Sequence, residues 1–304
     1  MCLTFSHFIE SIPAAESVVY RSGQRGGMVS LNGQILDWTR QELVFAVTSP
    51  ETTTRIPADS LVAFSAEWHP VHQQARTAYA EHRYADAEAL FKQVRGENLR
   101  AWEKREVFAG LVRSSINQQK WVDALHHFDE MLLNSPYTLH QELLPLHWHS
   151  YPLSDDQRIW ALSVLDGTDA RHRLIAASWL LGTSQYVPRV EDTLKALLTE
   201  PVPEIRILAQ AQRWRIELGT ETLSDSALKR WERQRKDVPD ELAAGPEFVL
   251  GQGHEKLFNK AVATSHYLWL TTMDTCDQQL VYLATSRAAS LLEELGQPAE
   301  AALL

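Results

Sequence analysis

Apolar and polar residues alternate with a period close to two between Ser17 and Ser65, which predicts short β-strands. Asn32-Gly33, between two apolar segments, is a strong signal for a β-hairpin. About five strands in about fifty residues predict a small curled sheet or an SH3-like barrel. We therefore expect a small β-rich domain over residues 1–66. The predicted strands are residues 17–20, 28–31, 34–38, 42–47 and 61–64.

The apolar period changes to three or four residues at about Glu67, which predicts helices over residues 67–304. Within this region a small residue and an aromatic residue recur with the same offset: Ala87 and Phe91 return 37 residues later as Ala124 and Phe128. A small side chain lets two helices of a hairpin approach, and the aromatic ring seals the joint with the next hairpin. The pattern therefore predicts stacked helical hairpins in a mainly α protein.

These two stretches resemble the tetratricopeptide repeat (TPR) family, whose second helix carries a small residue followed four positions later by an aromatic. They depart from the family at Ala75 and Val112, where it has glycine, and in the longer period. The resemblance implies an α-α superhelix of TPR-like or HEAT-like hairpins behind the β-rich domain. The order of elements also resembles that of bacterial repeat proteins, and it implies no activity.

The rest of the sequence also has a helical period, but its repeats have a different spacing. The strings at 173–176 and 206–209 recur 33 residues apart and resemble a HEAT-like or a divergent TPR hairpin pair. Residues 219–253 are the least regular part, and Gly251-Gln-Gly253 is too short for a nucleotide-binding fingerprint. Residues 284–304 again resemble a TPR hairpin with a short second helix. Its apolar face would need cover from the fold or from another chain, so a homo-oligomer is an alternative.

Composition narrows the range of functions. The net charge of −10 argues against a nucleic-acid binder, because such affinity comes largely from Lys and Arg at phosphates. Most of the ten tryptophans fall in helical patterns, where they fill helix seams, and an aromatic binding surface is the alternative. Cys2 and Cys276 are the only cysteines and provide no disulfide framework.

The lengths of the apolar stretches indicate where in the cell the protein is expected. No stretch reaches the roughly 18–20 residues needed to cross a bilayer, and the first residues lack the basic start of a signal peptide. We expect a cytoplasmic protein without a membrane span, or an exported one if a leader peptide has been trimmed from the start.

The sequence contains no strong motif for metal binding, phosphate binding or catalysis. His140 and His147-Trp-His149 could offer imidazoles to a metal, but the supporting carboxylates and spacing of a zinc site are missing. The glycine-rich string 22–27 precedes a strand-like segment and predicts a β-turn rather than a phosphate loop. No nucleophile elbow occurs. We therefore expect no metal, no cofactor and no catalytic site.

The resemblance directs certain first-helix positions into a concave groove. Arg76 and Arg113 are equivalent and would lie roughly 10 Å or more apart. Two guanidinium groups could hold a peptide carboxylate or an acidic segment. The alternative is that each arginine pairs with an internal acid such as Glu67 or Glu106. The predicted contact residues are His72, Arg76, Tyr79, Arg113 and Asn117.

The sequence leads to three alternative hypotheses about function. The first is a non-catalytic scaffold that binds a protein or peptide in the groove. The second is a self-associating assembly subunit. The third is an enzyme at the junction of the β-rich domain and the repeats, using Glu67, His69 and His72, which would need a deep pocket with convergent polar groups.

Overall fold

The computed structural model describes residues 16–23, 27–47, 52–134, 139–273 and 277–304. Both cysteines and the middle of the glycine-rich string lie outside these residues. The chain is mainly helical (62%), with thirteen α-helices in its described part and an N-terminal five-stranded antiparallel sheet. The predicted helical class and β-rich N-terminus are confirmed, and the TPR-like superhelix stays a prediction.

The sheet has the strand order β4-β3-β2-β1-β5, and every neighbouring pair is antiparallel. Its strands are β1 (Glu16–Ser22), β2 (Gly27–Trp38), β3 (Glu42–Val47), β4 (Thr52–Pro57) and β5 (Leu61–Ser65). Register shifts in β1 and β2 interrupt the ladders, as bulges in a curled sheet do.

The hairpin predicted at Asn32-Gly33 is wrong, because both residues lie inside β2. Gly33 pairs with Glu16 of β1 and with Val47 of β3, so β2 passes from one partner strand to the other at this point. A Cβ atom on Gly33 would overlap the backbone of Ala46. The glycine therefore permits a close backbone approach within a strand rather than a turn.

The thirteen α-helices follow the sheet. They are α1 (Pro70–Ala80), α2 (Tyr84–Arg95), α3 (Ala101–Asn117), α4 (Trp121–Asn134), α5 (Asp155–Val164), α6 (Ala170–Leu180), α7 (Val187–Leu197), α8 (Pro203–Leu218), α9 (Asp225–Arg235), α10 (Ala244–Lys256), α11 (Lys260–Thr272), α12 (Gln278–Glu294) and α13 (Pro298–Ala301). None of these helices combines the length and apolar content needed to cross a membrane.

The chain divides into two compact units. The first comprises residues 1–111 and 129–139, and the second comprises residues 112–128 and 140–304. The sheet ends and α1 begins close to residue 67, where the sequence period changes. The sheet shares its compact unit with helical residues, and the domain boundary expected at residue 66 stays a prediction.

The core of the first unit lies on one face of the sheet. Trp102 of α3 is buried there and donates a hydrogen bond from Nε1 to the carbonyl oxygen of Ile35 (3.2 Å). Arg100 binds both carboxylate oxygens of the buried Glu16, at 2.8 and 2.9 Å. The bidentate geometry satisfies a carboxylate that would otherwise be costly to bury. The other buried members are Val18, Ile35, Leu43, Phe45, Val47 and Ile56.

Helix α10 is the most buried helix of the second unit, although its sequence region is the least regular part of the chain. Its three glycines lie against the side chains of neighbouring elements. A Cβ atom on Gly251 would lie 2.6 Å from the ring of Tyr267, and one on Gly253 would lie 2.6 Å from Leu228. A Cβ atom on Gly245 would overlap the ring of Trp148. Tertiary packing thus outweighs the low helix propensity of glycine.

We expect Gly251→Ala to lower the free energy of unfolding by about 1–3 kcal/mol, because the added methyl group overpacks the contact with Tyr267. Urea unfolding followed by circular dichroism measures this change. The matched control is Gly96→Ala, where the nearest atom to an added Cβ is at an ordinary 3.5 Å.

A double-mutant cycle tests the cause of this loss. Tyr267→Ala removes the ring that the new methyl group meets, so Gly251→Ala is expected to cost less in that background. An equal cost in both backgrounds would show that glycine is needed at position 251 for another reason.

Candidate functional site

The second unit holds a partly open, mainly apolar pocket with a volume of about 80 Å³. Its walls include three tryptophan rings: Trp121 at the start of α4, Trp148 in the segment before α5, and Trp269 of α11. Trp121 and Trp148 are buried, and Trp269 is half-buried. The aliphatic lining residues are Ile116, Leu144, Leu146, Leu208, Leu242, Met273 and Leu280.

Among the described residues, the four charged ones that line this pocket are all acidic. Glu142 accepts a hydrogen bond from Nη2 of Arg113 at 3.2 Å, and Asp240 lies 3.5 Å from Nη2 of Arg235. Neither arginine lines the pocket. The remaining two acids are Glu241, which is exposed, and Asp277, which is buried.

Asp277 is the N-cap residue of α12, where its Oδ1 accepts a hydrogen bond from the backbone N–H of Leu280 at 3.0 Å. Burial raises the pKa of this carboxyl group to about 6, against the opposing effect of backbone hydrogen bonds from Leu280 and Gln279. Within the described part of the chain no ion pair is formed by Asp277. The pocket therefore contains a buried acid whose charge lacks a cationic partner there.

Packing at α10 positions one wall of the pocket. Gly245 lies at the pocket and directly under the ring of Trp148, which could not occupy this place if position 245 carried a side chain. The segment that carries Trp148 is fixed by Arg215, whose Nη1 donates to the carbonyl oxygen of His147 at 2.7 Å. The wall thus depends on residues that are far apart in the sequence.

The histidines considered as metal ligands from the sequence do not form a ligand group in the described structure. His147 is buried among Trp121, Tyr151 and Trp179, with ring centroids 4.4–5.5 Å away. Neither ring nitrogen of His147 has a hydrogen-bond partner, and burial is the main reason that its pKa lies well below the usual value. It therefore acts as a neutral packing residue.

The groove residues of the first predicted repeat differ in accessibility. His72 is buried, stacked on Trp68 (4.5 Å) and edge-on to Phe91 (5.5 Å). Burial, followed by the charge of Arg76, lowers the pKa of His72 to about 4. Arg76 is exposed with its guanidinium 5.4 Å above the Trp68 ring, and Tyr79 is half-buried. A partner could reach Arg76, but it could not touch His72 without opening this packing.

The groove residues of the second predicted repeat make internal contacts. Arg113 contacts His140 as well as Glu142, so it pairs with an internal acid other than Glu106. Asn117 donates from Nδ2 to the carbonyl oxygen of Arg113, and its Oδ1 accepts from the backbone N–H of Gln278 at 3.0 Å. Arg76 and Arg113 belong to different compact units, and a groove shared by them stays a prediction.

The junction expected to carry an enzyme site is an open concavity of about 470 Å³ in the first unit. Glu67 and His69 line it, but His72 does not. Four of its polar residues make internal contacts: Arg100 binds Glu16 and Glu103, both at 2.8 Å, and His69 accepts from the backbone N–H of Val71. The concavity is open, whereas the enzyme hypothesis needs a deep pocket with convergent polar groups.

Asp277→Asn is expected to change how stability depends on pH. The folded protein holds the Asp277 proton up to about pH 6, whereas an unfolded chain releases it near pH 4, so wild-type stability falls as pH rises through this window. Asparagine can still cap α12 and carries no charge. The variant should therefore be more stable than wild type by about 1–3 kcal/mol at pH 7.5, and by much less at pH 4.5.

Urea unfolding at these two pH values measures the difference. The matched control is Asp169→Asn at the exposed N-cap of α6. An equal response of both variants to pH would rule out a burial effect at Asp277.

No family model, no curated protein and no solved structure matches this chain.

Proposed function

We propose that the chain is a non-catalytic binding protein that holds a segment of another protein and receives one lysine or arginine side chain in the tryptophan-lined pocket. The observation that supports this most is the combination of three tryptophan rings with the buried carboxyl group of Asp277, in a pocket whose described lining contains no lysine or arginine. This function differs from enzyme activity and from self-association.

The chemistry of the pocket suits an aliphatic cation. Tryptophan faces attract cations more strongly than other aromatic rings do, and Asp277 supplies the opposite charge. The methylene stem of lysine or arginine would pack against the aliphatic walls. A volume of about 80 Å³ has room for several water molecules, and so for the end of one long side chain.

The charge of the pocket argues for a basic partner rather than the acidic or C-terminal carboxylate partner expected from Arg76 and Arg113. Arg113 already neutralises Glu142, so it is poorly placed to recruit a second carboxylate. The net charge of −10 also favours association with basic segments. Both considerations favour a cationic ligand.

The free energy cost of ionising the buried carboxyl group of Asp277 supports a binding role. An ionised carboxyl group in a buried place destabilises the free protein unless a cation arrives to pair with it. Such a cost is typical of groups kept for function rather than for stability. The described lining side chains include no hydroxyl, thiol, imidazole or amine, which supports binding over nucleophilic catalysis.

The test is a selection of displayed random peptides on the purified full-length chain, with selected peptides then measured by isothermal titration calorimetry. We expect enrichment of lysine or arginine at one position. Acetylation of that lysine should weaken binding about tenfold or more, because the positive charge is lost. Asp277→Asn should weaken binding by a similar factor, and Trp269→Ala should abolish selection of these peptides.

Two control variants separate the pocket from the rest of the surface. Asp169→Asn keeps the pocket and changes another N-cap, and Trp160→Ala removes a half-buried tryptophan that does not line it. Both should bind like wild type. Enrichment of acidic peptides, or equal binding by Trp269→Ala, would overturn the proposal. Light scattering of the same samples reports self-association, the alternative function.

A further inference from the structure

Three helices of the second unit bring two imidazoles and one carboxylate together. Glu232 of α9, His254 of α10 and His266 of α11 each offer a ligand atom, and these atoms lie within 4.8 Å of one another. Within the described residues this is the one set of three or more His, Cys, Asp or Glu side chains that comes so close. The sequence gives no motif for it, because each ligand is on a different helix.

The distances in this cluster are near those of a chelate. Nε2 of His254 lies 3.0 Å from Oε1 of Glu232. The ring centroids of His254 and His266 lie 5.2 Å apart, and the ring planes are inclined by 15°. Two ligand atoms bound about 2.0–2.2 Å from one tetrahedral zinc lie about 3.4 Å apart. The Glu232–His254 pair, at 3.0 Å, is slightly closer than this spacing, and His266 has to approach by at most about 1.4 Å.

A second carboxylate orients His266. Its Nδ1 lies 2.6 Å from Oε2 of the buried Glu247, whose Oε1 in turn accepts from Nε of Arg235 at 2.6 Å. An imidazole that donates from Nδ1 to a carboxylate presents its Nε2 lone pair to a metal. This carboxylate–histidine arrangement commonly supports metal ligands in proteins, because it fixes both the tautomer and the ring direction.

Close packing explains why the ligands meet. Gly253 precedes His254, and its missing side chain lets α9 approach α10 through Leu228 and Trp231. A short turn at 257–259 then returns the chain as α11, where His266 faces α10.

The cluster lies mostly inside the unit but reaches its surface. His254 is buried and His266 is half-buried. The side chain of Glu232 is 41% exposed, which leaves a path from solvent to the cluster.

We propose that Glu232, His254 and His266 bind a divalent first-row transition metal ion. Two imidazoles and one carboxylate form a donor set that zinc accepts in sites with an open coordination position, and ferrous iron accepts in three-ligand facial sites. The ion would join α9, α10 and α11 and would keep at least one position for water. This site uses none of the pocket residues and does not rest on the proposed function.

Zinc titration of chelator-treated, dialysed full-length protein tests the site. Calorimetry should show one tight ion per chain. His266→Gln and Glu232→Gln should each weaken zinc binding at least tenfold. Glu247→Gln should weaken it by about 10–100-fold through the orientation of His266. The matched control is His126→Gln, on the exposed face of α4, which should leave binding unchanged.

Cobalt(II) provides a second readout. Wild type should show visible absorption bands of a four- or five-coordinate ion, and Glu232→Gln should lose them. Glu232 is partly exposed and the substitution keeps its size, so this variant is expected to keep the fold, which circular dichroism checks. Zinc binding of equal strength in wild type, Glu232→Gln and His266→Gln would overturn the proposal, as would equal weakening by His126→Gln.

Discussion

Close packing of neighbouring elements against the glycines of α10 is the constraint on which both proposed sites depend. Gly245 admits the Trp148 ring that forms one wall of the pocket, and Gly251 admits the Tyr267 ring of α11. Gly253 admits Leu228 and Trp231 of α9. A side chain at any of these positions would force a helix or an aromatic ring outward, and interiors packed at crystal-like density have little room for such shifts.

A buried arginine fixes the segment that supplies the pocket with Trp148. Arg215 donates to the carbonyl oxygens of His147, Ser178 and His149, and to the side-chain oxygen of Gln212 at 2.6 Å. Burial lowers its pKa to about 9, so it stays charged at neutral pH without a carboxylate partner. Carbonyl dipoles that converge on the guanidinium therefore offset much of its desolvation, and the same hydrogen bonds hold an irregular backbone segment in place.

The parts of the fold that follow from local pattern could be predicted, whereas the parts that depend on contacts between distant residues could not. The change of period near Glu67 correctly separates strands from helices. The hairpin predicted at Asn32-Gly33 was wrong because an Asn-Gly pair is typical of a turn, and the local sequence does not show that this glycine is needed for close backbone approach inside a strand. Most of helix α10 lies in the region whose sequence pattern is least regular, because glycine is a poor helix former in isolation. The cluster of Glu232, His254 and His266 has no fixed spacing, since three separate helices supply its members.

Arg235 joins the pocket to the proposed metal site. Its Nε binds Glu247, which orients His266, while Nη2 lies 3.5 Å from Asp240 at the pocket. Its guanidinium also lies 5.3 Å from the Trp269 ring, which forms a pocket wall. The planar guanidinium group of arginine has several N–H donors and can make these contacts at once, whereas the single ammonium group of lysine could not. Any charge that an ion adds beside His266 therefore acts on a guanidinium that also positions the pocket wall, so the two sites share one electrostatic environment although they share no ligand.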